Sequence, residues 1–263
     1  MANITVKYFS NCLMRQTIFE MYLPNDLRND IPLDQQDNPY RKRPTKTLFL
    51  LHGYTGSAGN FVPEWLSEQY NFAVIAPNGE NSFWLDGIST GHKYCTLLGD
   101  EMLGYVRNTF GLAKSAEDTF ILGMSMGGFG ALHTGLAYPD RFGKIGAMSS
   151  ALIVHEVAGM KPGTDNGVAN YEYYRECFGD PGRVLGSDNN PETLVDKLIS
   201  QNKKIPEIYM CCGTEDFLLE NNRELHRFLE NRNVPHEYVE SSGNHDMQFW
   251  NEYTEKIVKW MFA

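Results

Sequence analysis

A serine stands between two glycines where an apolar strand should end. The run Thr119-Phe120-Ile121-Leu122 leads directly into Gly123-Met124-Ser125-Met126-Gly127, and a helical pattern follows. A strand that breaks at glycine, presents a serine and enters a helix exposes the hydroxyl at the carboxyl end of a sheet. From there it can attack an acyl carbonyl. The turn is too tight for side chains beside the serine backbone, so small residues at both glycine positions have a steric reason. The same spacing recurs at Gly87-Ile88-Ser89-Thr90-Gly91. There the preceding residues, Asn81 to Asp86, read as loop rather than strand. Context assigns Ser125 as the nucleophile and Ser89 as a loop serine.

Serine is a poor nucleophile at neutral pH and needs a base, usually a histidine oriented by a carboxylate. After a strand-led serine, the carboxylate and the histidine are expected in that order, each on a loop past a later strand. Cys211-Cys212-Gly213-Thr214-Glu215-Asp216 and Ser241-Ser242-Gly243-Asn244-His245-Asp246 meet that requirement. They nominate Asp216 and His245. Asp216 also stands where a helix cap is expected, and Glu215 and Glu220 are neighbouring alternatives for the acid. His133 and His226 fall inside helical patterns, while His92 and His155 lie in loops that could touch a substrate. Asp246 reads as the start of the last helix. The developing oxyanion needs N–H donors. The residue after the nucleophile, Met126, supplies one, and Tyr54, in Leu51-His52-Gly53-Tyr54-Thr55-Gly56, supplies the other.

These loops require a sheet whose strand ends converge. Ile4 to Phe9 and Gln16 to Leu23 read as an antiparallel opening pair, followed by a polar excursion from Pro24 to Pro44. Strands are predicted over Lys46 to Leu51, Phe72 to Ala76, Thr119 to Leu122, Lys144 to Met148, Glu207 to Cys211 and His236 to Glu240. Helices are predicted over Asn60 to Tyr70, Asp100 to Phe110, Met126 to Tyr138, Phe217 to Asn231 and Asp246 to Met261. The pattern describes an α/β fold, a mostly parallel sheet with helices on both faces. The opening β–β pair argues against a (β/α)₈ barrel, which alternates from its start. From Ser149 to Gln201 no clear strand occurs, although Tyr171 to Phe178 and Pro191 to Ile199 look helical. A single domain with a lid or cap over about residues 151–200 is the expected organisation.

The chain has 263 residues and 23 basic against 33 acidic side chains, a net charge of −10, which disfavours nucleic acid and anionic membranes as partners. No apolar run approaches the length of a membrane span, and Met1 to Tyr8 lacks the pattern of a signal peptide. The five cysteines are an odd count without zinc spacing, which reads as free thiols in a reducing cytoplasm.

The apolar strand ending in His52-Gly53, the elbow Gly123 to Leu132, Gly213-Thr214-Glu215-Asp216 and Gly243-Asn244-His245-Asp246 together resemble the esterase D group of α/β-hydrolases. Within it the chain is most similar to bacterial tributyrin esterases and their feruloyl and acetyl-xylan esterase relatives, over nearly its whole length. The resemblance implies an α/β-hydrolase fold and ester hydrolysis through an acyl-serine, with no metal or cofactor, commonly in a homo-oligomer. It places Ser125, Asp216 and His245 at the triad positions, and Tyr54 and Met126 at the oxyanion positions. S-formylglutathione hydrolases of the same group typically carry a Ser-Gly-Leu-Thr-Cys loop where this chain has His52-Gly53-Tyr54-Thr55-Gly56. The expected substrate is a short-chain acyl ester, with His52, Gly53 and Trp84 as candidate contacts and Phe83 and Tyr54 as further aromatic lining. Thioester hydrolysis, acyl transfer and a catalytically silent binding role are the competing readings.

Overall fold

The computed structural model describes residues 2–24 and 38–263. Most of the polar excursion, residues 25–37, lies outside the described residues. Strands β1 (Ala2–Ser10) and β2 (Arg15–Leu23) pair antiparallel, with Ile4, Val6 and Tyr8 on the inward face of β1 and Thr5, Lys7 and Phe9 exposed. This period-two alternation is that of a strand with one solvated face. Six further strands follow: β3 (Lys46–Leu51), β4 (Phe72–Pro77), β5 (Thr119–Met124), β6 (Lys144–Met148), β7 (Glu207–Gly213) and β8 (His236–Ser241). Their order across the sheet is β1-β2-β4-β3-β5-β6-β7-β8. Only the β1–β2 and β2–β4 pairs are antiparallel.

The helices are α1 (Glu64–Tyr70), α2 (Tyr94–Thr96), α3 (Leu103–Phe110), α4 (Met126–Ala137), α5 (Val154–Ala158), α6 (Tyr171–Phe178), α7 (Pro191–Ser200), α8 (Leu219–Asn231) and α9 (Met247–Phe262). Alternate residues of β3 serve opposite faces of the sheet. Phe49 and Leu51 pack with Leu103, Val106, Phe129 and Leu132 of α3 and α4, whereas Leu48 and Leu50 pack with Leu66, Ile257 and Met261 of α1 and α9. Burial on both faces explains the nearly continuous apolar run of β3. Every residue from Met126 to Leu136 is buried, so the helix behind the nucleophile is locked into the core. Each large side chain there contributes about 1.5–3 kcal/mol by burial.

The elements differ from the sequence expectation mainly at their ends. Helix α1 starts at Glu64 rather than Asn60, because Pro63 holds the preceding backbone extended and Asn60 Oδ1 accepts from Val62 N in a turn. The helix expected over Asp100 to Phe110 begins inside a π-helical stretch, Leu97–Met102, that links α2 to α3, so regular α-helix starts only at Leu103. The five residues of α5 carry too little periodicity to be read.

Parallel register aligns the carboxyl ends of β3, β5, β6, β7 and β8. Leu51 pairs with Gly123, Met124 with Met148, Met148 with Cys211, and Cys211 with Val239. The loops after β3, β5, β7 and β8 therefore open onto one edge. Residues 151–174 cover that edge, whereas α7 packs back on α4.

Candidate active site

Ser125 occupies a left-handed backbone conformation, φ 56° and ψ −121°. A non-glycine residue held there stores about 1–3 kcal/mol of strain and needs surroundings that enforce it. Three backbone bonds do so: Ser125 N to Met148 O at 2.9 Å, Ala151 N to Ser125 O at 3.0 Å and Phe129 N to Ser125 O at 3.1 Å. A Cβ on Gly123 would lie 2.0 Å from Gly127 O, and one on Gly127 would lie 2.2 Å from Leu51 O. Both obstacles are backbone, so the two glycines are required by the close approach of β3, β5 and α4.

The Ser125 hydroxyl lies 2.9 Å from His245 Nε2. His245 Nδ1 lies 2.9 and 3.1 Å from Asp216 Oδ2 and Oδ1. The Asp216 side chain is fully buried, whereas that of His245 is 17% exposed toward the cleft. A buried carboxylate at Nδ1 fixes the proton on that nitrogen and leaves the Nε2 lone pair facing the serine. Burial pushes the Asp216 carboxyl up, but hydrogen bonds from His245, the Leu218 N–H and the Ser149 hydroxyl outweigh it and hold the pKa below the ordinary value. Asp216 therefore both caps the chain before α8, through Leu218 N at 2.9 Å, and orients the histidine. Glu215 instead accepts from Gly243 N, which braces the histidine loop, and Glu220 pairs with Arg223.

Three residues here were not singled out from sequence. Trp250 stands edge-on to His245 with ring centroids 4.9 Å apart, and its Nε1 donates to Ser149 Oγ at 3.1 Å. Phe217 lies on another side of the imidazole at 4.6 Å and is 76% exposed. The exposed phenylalanine directly after the candidate acid is the signal that could have been read. Ser149 and Trp250 meet only through the fold.

Past β3, Gly53 stands beside the nucleophile: a Cβ there would lie 3.3 Å from Ser125 Cβ. The loop is pinned by Thr55 N to Asn81 Oδ1 at 2.8 Å and Gly56 N to Gly53 O at 3.1 Å. Tyr54 and Met126 both line the cleft. Met126 is the first residue of α4, where N–H groups lack intrahelical partners and the helix dipole favours negative charge. His52 accepts from Gly79 N through Nε2 at 2.9 Å, while Nδ1 lies 2.8 Å from Gly53 O. Nδ1 thus carries the proton, and burial lowers the pKa, keeping the ring neutral. His52 lines the cleft but spends both nitrogens on holding its loop.

Trp84 is not a substrate contact, which corrects the expectation from sequence. Its ring is fully buried against Gly79 and Gly130, and Nε1 donates to His52 O at 3.3 Å. Positive φ angles at Phe83 and Trp84, 52° and 57°, turn the chain so that the indole enters the core. Phe83 does reach the cleft. Ser89 lies in a loop and donates to Glu176 at 2.7 Å. His92 faces Glu176 and His155 faces Glu192, both away from the Ser125 cleft.

The cleft above Ser125 holds about 870 Å³ and is lined mainly by apolar and aromatic groups, among them Met124, Phe61, Val157, Met160, Tyr173 and Trp250. That volume lies within the range of small-molecule sites.

The sheet order, the serine at a strained strand-to-helix turn and the facing histidine and acid define an α/β-hydrolase of the serine type. The model of the Esterase family, described as "Putative esterase", matches residues 10–261, and the chain belongs to that family. It is 40% identical to an acetyl esterase of Caldicellulosiruptor saccharolyticus over 273 residues, covering 99% of this chain and 98% of the relative. It is also similar to FphF, the fluorophosphonate-binding serine hydrolase F of Staphylococcus aureus. That structure is 26% identical with a TM-score of 0.83, covering 100% of this chain and 98% of the other. A third similarity is to the S-formylglutathione hydrolase FrmB of Staphylococcus aureus, at 27% identity and TM-score 0.81, covering 100% and 99%. The protein is a serine esterase acting on carboxylic esters. Among the described residues no helix is long and apolar enough to cross a membrane.

Proposed function

We propose that Ser125, His245 and Asp216 form the catalytic triad and that the enzyme hydrolyses acetyl and other short-chain acyl esters. The observation that carries the reading is the hydrogen-bonded chain from Ser125 Oγ to His245 Nε2, and from His245 Nδ1 to the buried Asp216 carboxylate. His245 takes the serine proton as Oγ attacks the ester carbonyl. The tetrahedral oxyanion is received by the N–H groups of Tyr54 and Met126. His245 then protonates the leaving alcohol, which departs and leaves Ser125 acylated. Water attacks the acyl-serine with His245 again as base, and the acid is released with Ser125 restored. Asp216 holds the imidazole tautomer and stabilises the imidazolium. The acetyl esterase relative supports a small acyl group. Residues 151–174 act as a cap that shapes the cleft, contributing Ile153, Val157, Met160, Tyr173 and Tyr174.

The test is hydrolysis of 4-nitrophenyl esters from acetyl to octanoyl, and of methyl ferulate, by the wild type and Ser125→Ala. The reading predicts turnover that peaks at short acyl chains and vanishes in the variant. A well-folded wild type inactive on every ester would overturn it.

A further inference from the structure

The cleft is apolar and nearly uncharged. Among the described residues lining it there is no lysine or arginine, and Glu156 is the only carboxylate. Glu156 lies on α5, exposed at the cleft, and Asn221 of α8 fixes it there. Asn221 Nδ2 donates to Glu156 Oε1 and also to Leu152 O at 3.3 Å. No described residue hydrogen-bonds to Glu156 Oε2. The carboxylate is thus tethered through one oxygen, with the other available to a donor. The chain as a whole carries a net charge of −10, which adds no long-range attraction for an anion.

We infer that this site selects uncharged esters and rejects anionic ones, with Glu156 as the specificity-determining residue. The inference rests on the reading of Ser125 as the nucleophile of this cleft. A substrate carboxylate entering it would lose hydration, find no cation, and approach a fixed negative charge. A neutral alcohol or sugar hydroxyl would lose less hydration and could donate to Oε2. Acyl-glutathione thioesters, whose peptide carries two carboxylates against one ammonium group and so a net charge of −1, fall in the rejected class. Charge thus separates this chain from the thioester reading that the S-formylglutathione hydrolase similarity brings with it.

The experiment compares two pairs of esters that differ in one negative charge. 4-Nitrophenyl hexanoate and mono-4-nitrophenyl adipate place the charge on the acyl side, the adipate chain being too long for its carboxylate to expel the phenolate efficiently. Methyl 4-acetoxybenzoate and 4-acetoxybenzoate place it on the alcohol side. Each kcat/KM is divided by the rate constant for hydroxide-catalysed hydrolysis of the same ester, which removes intrinsic reactivity. The wild type is expected to prefer the neutral member of both pairs by about tenfold or more. Glu156→Gln should narrow that preference by about three- to tenfold in at least one pair. High salt should narrow the wild-type preference without any substitution, an independent readout should the variant fold poorly. Equal turnover of anionic and neutral members would overturn the inference, as would a preference unchanged in a folded Glu156→Gln enzyme. Failure of the underlying reading looks different: neither neutral ester turned over, or turnover that survives Ser125→Ala.

Discussion

Replacing Asp216 with asparagine tests the tautomer on which the proposed mechanism depends. Asp216 Oδ1 accepts from Leu218 N at 2.9 Å, while Oδ2 lies 2.9 Å from His245 Nδ1. A carboxylate accepts at both oxygens, but an amide accepts at only one. The Leu218 N–H fixes the amide oxygen at the Oδ1 position and turns the NH₂ group toward His245. The imidazole must then offer its Nδ1 lone pair, which moves its proton to Nε2, facing Ser125 Oγ. That histidine cannot take the serine proton. Flipping the amide would restore the tautomer but leave the buried Leu218 N–H unpaired, at about 1–3 kcal/mol. The imidazolium formed during attack also loses a charge-assisted hydrogen bond worth about 1.5–3 kcal/mol. Together these remove about 2.5–6 kcal/mol of transition-state stabilisation, or roughly 10²- to 10⁴-fold in kcat. Initial rates on 4-nitrophenyl acetate over a range of concentrations separate kcat from KM, with the melting temperature as a folding control. The expected result is that loss in kcat with KM within about threefold of wild type. A folded Asp216→Asn enzyme with kcat within tenfold of wild type would refute the reasoning.

Two predictions concern the scaffold. His133 is buried in α4 and bonded through Nε2 to Asp188 O at 2.8 Å; burial pushes its pKa down to about 4. Below the ordinary histidine pKa the unfolded chain gains a proton that the folded state refuses, so stability should fall as pH drops from about 6.5 to about 4. By pH 4.5 this is about 2–3 kcal/mol; urea unfolding at neutral pH and pH 4.5 should show His133→Gln losing less than wild type, and identical losses would contradict the assignment. Gly127→Ala should cost about 1–3 kcal/mol through contact with Leu51 O. That lowers the melting temperature by roughly 3–10 °C, and calorimetry showing no change would deny the close approach of β3 to α4.

The sheet and the placement of Ser125, Asp216 and His245 were legible because each residue follows a strand inside a local signature. A strand-led Gly-x-Ser-x-Gly, an acid past β7 and a histidine past β8 imply a common edge once the strands are parallel. What escaped the sequence is contact made by the fold alone. Ser149 and Trp250 are 101 residues apart, and no periodicity links them. Trp84 was misread because aromatic content does not reveal which way a ring points; two consecutive left-handed residues turn it inward. The region after β6 was visible as a long stretch without strands, but not its division between the cleft-lining residues 151–174 and α7, which packs against α4. From sequence Asp216 was the nominated acid, with Glu215 and Glu220 as neighbouring alternatives. The structure separates them, since only Asp216 is both buried and within hydrogen-bond distance of His245.

The central claim is that Ser125 is the activated nucleophile. The most direct measurement is covalent labelling with a fluorophosphonate, followed by digestion and mass spectrometry of the peptides that carry Ser125 and Ser89. The account predicts a single adduct on Ser125, abolished in Ser125→Ala and retained in Ser89→Ala. An adduct on Ser89, or no adduct on a folded wild-type enzyme, would contradict it.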